Sequence, residues 1–361
     1  MVIIGANMDI FSPLVADDQL HANFKSIISP SMHVERAELE RWLEGFPDRD
    51  GKFVKEFQTT FNSSFWEIYL FALFNIYGFE LNWAHASPDF HVKSQFGDFI
   101  VEATTANAAV GKPAEWEKKV PIGEAVAAKD FWPLNREAMI RLANAIRAKA
   151  QKYAQSYVRL DHVKTRPFVL AIAPFEQPDF QYQYDRAIRA VLYDDYVDET
   201  AYFKNPERYP DGPPSVKLGF VEKESGAEVP LGIFNTEEYR DVSAVLFSCT
   251  ATWGKVEAMA QASQNLGFVA ATWGGPGGKP RGSMLPRGQH AETLEDGLQV
   301  FHNPNAIRPL DPHIFRRTGV VQHYFDEHTS AWIHEERDRC LHSRMVNSMR
   351  VIRDEPGSAV S

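Results

Sequence analysis

Cysteine is nearly missing from this chain: Cys249 and Cys340 are the only two in 361 residues. Two thiols can build neither a disulfide framework nor a four-thiolate zinc site, so both read as buried and inert. Long apolar runs are missing too. No stretch reaches about 18 uninterrupted apolar residues, and "MVIIGANMDIF" has neither a basic start nor a small-residue cleavage pattern. The expectation is therefore no membrane partner, no secretory signal and a cytoplasmic location. Positive charge is in deficit, with 38 Lys and Arg against 48 Asp and Glu and a formal net charge of -10. That argues against charge-driven coating of nucleic acid but leaves room for one positive groove. The chain shows no internal repeat and no heptad seam, and the glycine-rich "GGPGGKPRGSMLPRG" (274–288) lacks the Walker spacing.

What is present is an ordinary globular composition, 44% hydrophobic and 24% charged. The reading divides the chain into a helical N-terminal segment (1–50), a core (51–310) and a C-terminal extension (311–361). "FNSSFWEIYLFALFNIYG" (61–78) predicts a helix buried on most sides, with Asn62, Ser63 and Ser64 as candidate caps and Gly78 as its stop. Three short strands follow at 79–84, 89–93 and 98–104, spaced as a meander. "NREAMIRLANAIRAKAQKYAQSY" (135–157) predicts a long helix capped by Asn135, and "RPFVLAIAPF" (166–175) a central buried strand. Further on, "YDRAIRAVLYDDYV" reads as a helix, "SVKLGFVEK" with "EVPLGIF" as a hairpin, "VSAVLFSC" as a second buried strand, "WGKVEAMAQASQN" as a helix and 274–288 as a loop. Between Arg136 and Arg166 stand eight basic residues and two acidic ones, a candidate positive groove inside an acidic protein.

Glu67 is the one charged residue of its apolar helix. Burying a lone carboxylate costs several kcal/mol, so it must be neutral, paired or bound to a cation. Asp89 opens the second strand of the meander, and the period of two puts Glu102 on one face of the third with Asp98, Ile100 and Thr104. Neighbouring strands would bring Asp89 and Glu102 together. Two carboxylates side by side suit a hard divalent cation better than a purely structural role.

A buried helix with Glu, a strand starting at Pro88-Asp89, a strand with Glu102-Ala103-Thr104, a long helix and a buried strand resemble, in that order, the PD-(D/E)XK phosphodiesterase superfamily. The resemblance spans roughly residues 53–175. It implies an α/β fold with a mixed central sheet flanked by helices, a restriction-endonuclease-like core with helical N-terminal and elaborated C-terminal segments. It also implies a nuclease that hydrolyses nucleic acid, DNA or RNA, through Mg²⁺ or Mn²⁺ held by Asp89, Glu102, the Ala103 carbonyl and Glu67. The family's lysine, two residues after the strand Glu, is Thr104 here. Some members carry that lysine on a neighbouring helix, and Lys149 at the edge of the apolar face of 135–157 is the expected substitute. Lys152 is expected to turn outward, and Lys93 is a second candidate. His91 is expected to pack, with proton transfer or ligation as its chemical option. Two alternatives stay open: a scaffold without catalysis that binds nucleic acid or a protein partner, and an enzyme of another kind using the histidine-rich tail (His302, His313, His323, His328, His334, His342) and the glycine-rich loop 274–288, which zinc content would discriminate.

Overall fold

Phe168–Ala173 is apolar at every position, without the alternation of a strand that faces water on one side. In the computed structural model, which describes residues 8–117, 131–260, 267–275, 279–329 and 331–348, this strand is buried throughout near the middle of a sheet of eight strands. In space as in sequence the order is β1 (Glu80–Leu81), β2 (Phe90–Ser94), β3 (Gly97–Thr105), β4 (Phe168–Ala173), β5 (Val242–Phe247), β6 (Gln299–His302), β7 (Val321–Asp326) and β8 (Ala331–Glu335). The sheet is mixed: β3, β4 and β5 run parallel, β1 and β2 antiparallel to their neighbours, and β6 antiparallel to β5 but parallel to β7. A second sheet of three antiparallel strands joins Gly267–Trp273 to Arg281–Pro286 and Leu341–Ser348. Segment 311–361 thus adds β7 and β8 to the main sheet and a strand to the smaller one.

Helices α1 (Ala22–Ile27), α2 (His33–Trp42) and α3 (Phe53–Thr59) lead into α4 (Phe61–Ile76), the predicted greasy helix. Phe74 of α4 packs against Phe90 and Phe99, and Trp66 donates its indole N–H to the Ala171 carbonyl at 3.0 Å. Phe99 and Glu102 lie on opposite faces of β3 because side chains alternate. The long helix α5 (Trp132–Lys152) reaches Glu102, so α4 and α5 cover opposite faces.

Several boundaries differ from the sequence reading. Asn62, Ser63 and Ser64 lie inside the first turn of α4; only Thr60 separates it from α3, and its carbonyl accepts the Ser63 N–H. The stop at Gly78 stands, with φ +70°. The α5 helix begins at Trp132, three residues before the expected cap, because Pro133 is tolerated in a first turn that needs no N–H there. Asn135 is instead buried, donating to the Tyr196 hydroxyl at 3.4 Å. Beyond Lys152 the chain widens into a π-helical turn, Tyr153–Tyr157. Arg281–Pro286, read as loop, is a strand, since backbone pairing with Gly267–Trp273 overrides its glycine and proline content; residues 276–278 of that stretch lie outside the described ones. Among the described residues no helix is long and apolar enough to cross a membrane.

Candidate active site

β2 begins one residue after Asp89, so beyond Val101 β3 keeps a strand partner only on its β4 side, and this step in the sheet creates the site. Phe90 pairs with Val101, so the next position along brings Asp89 to the Glu102–Ala103 level. The Asp89 Oδ2 accepts the Ala103 N–H at 2.7 Å. In a strand the N–H and C=O of one residue face the same neighbour, so the Ala103 carbonyl opens to the Asp89 side as well. α4 brings Glu67 from one face, and α5 brings Lys149 and Lys152 from the other. Glu67, Asp89, Glu102, Ala103, Thr104, Lys149 and Lys152 line a single cleft of about 590 Å³.

Charge in this cleft is unevenly matched. Glu102 is 2% exposed, and its Oε1 accepts from both Lys149 Nζ and Lys152 Nζ at 2.8 Å. Burial alone would raise its pKa, but the two ammonium groups outweigh that and hold it below the ordinary carboxylate value. Its second oxygen, Oε2, is buried without a hydrogen-bond partner among the described residues. Asp89 is pushed up to about 6, first by burial and then by the Glu102 charge, against the pull of the Ala103 N–H. Glu67 is pushed up to about 8, again by burial first and then by Asp89. The shift favours the protonated, neutral form of Glu67, which answers how an apolar helix tolerates a carboxylate.

The expectation for Lys152 is corrected. Lys149 and Lys152 sit three residues apart on one face of α5, and the stem of Lys152 is long enough to bend back over the Tyr157 ring, 4.9 Å away, and reach Glu102. Lys93 pairs with Glu80, and His91 packs 3.8 Å from Asp98; neither lines the cleft. The basic stretch 136–166 is largely occupied: Arg136 donates to the Glu222 carbonyl, Arg141 to the Asn107 carbonyl, and Arg166 to the His162 carbonyl. Arg147 and Arg159 remain exposed.

Three further residues of the cleft escaped the sequence reading. Glu176, just after β4, is a fourth carboxylate; burial raises its pKa and the Thr105 hydroxyl donates to it at 3.3 Å. His21 comes from the N-terminal segment and Trp116 from the stretch after β3, their rings 4.2 Å apart. Only Glu176 gives a signal in sequence, as an acid directly after a central strand.

The cleft's donor set suits a hard cation: carboxylate oxygens, one of them the orphaned Glu102 Oε2, and a carbonyl on the same edge. With Glu102 Oε1 turned to the lysines, no group of three or more His, Cys, Asp and Glu among the described residues stands as a preformed metal site. The tail histidines are engaged elsewhere, His302 with Gln322 at 2.9 Å and His323 with His334 at 2.7 Å. Compared with known proteins, the chain matches no family model, no curated protein and no solved structure.

Proposed function

We propose that this protein is a Mg²⁺- or Mn²⁺-dependent phosphodiesterase that hydrolyses nucleic acid, built on a restriction-endonuclease-like core. The observation that carries the reading is the convergence of Glu67 of α4, Asp89 just before β2 and Glu102 of β3 on one cleft with a lysine from the following helix. The order of elements, α4, then β1 to β3 as a meander, then α5 crossing to a parallel β4, agrees with the resemblance.

Asp89, Glu102 Oε2 and the Ala103 carbonyl would hold the cation, with Glu67 beside them. When bound, a divalent cation supplies Lewis acidity and a hydroxide-like water at neutral pH. The residues themselves do the rest. Lys149 Nζ, already 2.8 Å from Glu102, stands where negative charge on a phosphoryl group would grow. Lys152 keeps Glu102 ionised and in place. Thr104, in the position of the family's lysine, supplies no charge, and Lys149 takes that role. Glu67 keeps a proton until a nearby positive charge draws it off.

Purified protein should cut single- or double-stranded DNA or RNA only with Mg²⁺ or Mn²⁺, and Asp89→Ala should abolish cutting without unfolding the chain. The double grip of Lys149 and Lys152 on Glu102, which neutralises it without any cation, favours the second reading of a binding scaffold without catalysis. Absence of cleavage across that panel, with binding retained, would establish it instead.

A further inference from the structure

His21 and Trp116 give the lining of the cleft an aromatic pair. His21 is the residue before α1, and its Nδ1 accepts the Asn23 N–H at 3.1 Å, which fixes the ring. Trp116 lies in the short turn Glu115–Glu117 and meets His21 at an interplanar angle of 63°. That contact is edge to face, and among the described residues no ring stacks parallel on the indole. The lining also carries the uncharged Thr59, Thr60, Ser63 and Asn107, and Glu176, whose backbone carbonyl accepts the Glu115 N–H next to Trp116.

Charge cannot be the main source of affinity here. The cleft has four carboxylates against two lysines, and both lysines already serve Glu102. A duplex keeps its bases inside the stack and offers a wall only sugar and phosphate, so an aromatic wall gains nothing from it. An unpaired base exposes a π-face, and stacking on an aromatic side chain contributes about 1–3 kcal/mol whatever the sequence. Resting on the reading of the cleft as a phosphodiester site, we propose that it takes single-stranded nucleic acid, with one base stacked on Trp116 beside His21 and the adjoining phosphate at the Lys149 end. With at most two lysines available to phosphate, the salt dependence of binding should be shallow, a slope of about 1 to 2 in log Kd against log salt.

The experiment measures fluorescence anisotropy of labelled oligonucleotides on the full chain, with Ca²⁺ in place of Mg²⁺ to prevent turnover. The arms are single-stranded DNA, single-stranded RNA and a duplex of the same sequence. Single strands should bind at least about tenfold more tightly than the duplex; Trp116→Ala should weaken them by about 10- to 100-fold and Trp116→Phe by much less, with duplex binding unchanged. The melting temperature of each variant controls for folding, and the Phe variant keeps the test decisive if Ala unfolds. Duplex binding as tight as single-strand binding, no binding at all, or Trp116→Ala binding as the parent does would overturn the proposal. The same oligonucleotides with Mg²⁺ separate the two readings. Trp116-dependent binding without cleavage defeats the phosphodiesterase and leaves this proposal standing. Asp89-dependent cleavage of duplex alone does the reverse.

Discussion

Glu67 and Asp89 are both held above their ordinary pKa, and that has a definite sign. A carboxylate whose folded value is raised binds more protons folded than unfolded, so stability is greatest below the unfolded value and falls as pH rises through the folded one. For Glu67 that window runs from about 4.5 to about 8. Glu67→Gln should therefore melt several degrees above the parent at a pH of about 8, and close to it at a pH of about 5, in thermal scans at both values. An equal difference at both pH values would contradict the assignment. Lys149 and Lys152 give a second test. Either one alone still neutralises Glu102, whereas removing both leaves a buried carboxylate without a partner. Denaturant titration of Lys149→Ala, Lys152→Ala and the double variant should show a double loss exceeding the sum of the singles by about 0.5–3 kcal/mol. In turnover the two should separate: Lys149→Ala loses about 100-fold in kcat, and Lys152→Ala loses less.

Each acid owes its place to the element that carries it, and for α4 the tether is Trp66. Its ring is fully buried, stacked on Tyr69 at 5.2 Å, and its N–H ends on the Ala171 carbonyl of β4. Trp66→Ala should cost about 3–5 kcal/mol by denaturant unfolding, and Trp66→Phe should lose less while still freeing that carbonyl. The elements themselves were largely legible in the sequence. Phe168–Ala173 is apolar at every position, Val242–Phe247 at every position but Ser243, and α5 carries apolar residues at helical spacing. The ends of elements were not. Thr60, which looks like an ordinary helical residue, separates α3 from α4, and Asn135 is a core residue rather than a cap because Tyr196 comes from the distant strand Tyr196–Val197 to meet it. Arg281–Pro286 becomes a strand only through its partner at Gly267–Trp273, a pairing that no local pattern encodes. Lys152 was missed for a related reason: helical angle alone puts it outward, and only the π-helical turn after it and the Tyr157 ring explain its return.

For the molecule as a whole, the mixed sheet flanked by helices follows from buried apolar strands joined by amphipathic helices, and it places the acids where β2 stops short of β3. The carboxylates at 67, 89 and 102 were legible because each breaks an apolar or alternating pattern. His21 and Trp116 were not, since they reach the cleft from segments whose position depends on the assembled fold. The central claim is that this assembled cleft holds one divalent cation, and calorimetric titration of Mn²⁺ into the parent chain and into Asp89→Asn measures it directly. In two buffers of different ionisation enthalpy near pH 7, the parent should show one site per chain with proton release, because the raised pKa of Glu67 favours a proton that a cation must displace. Asp89→Asn should lose the site. No binding heat in the parent, or an unchanged site in Asp89→Asn, would contradict the account.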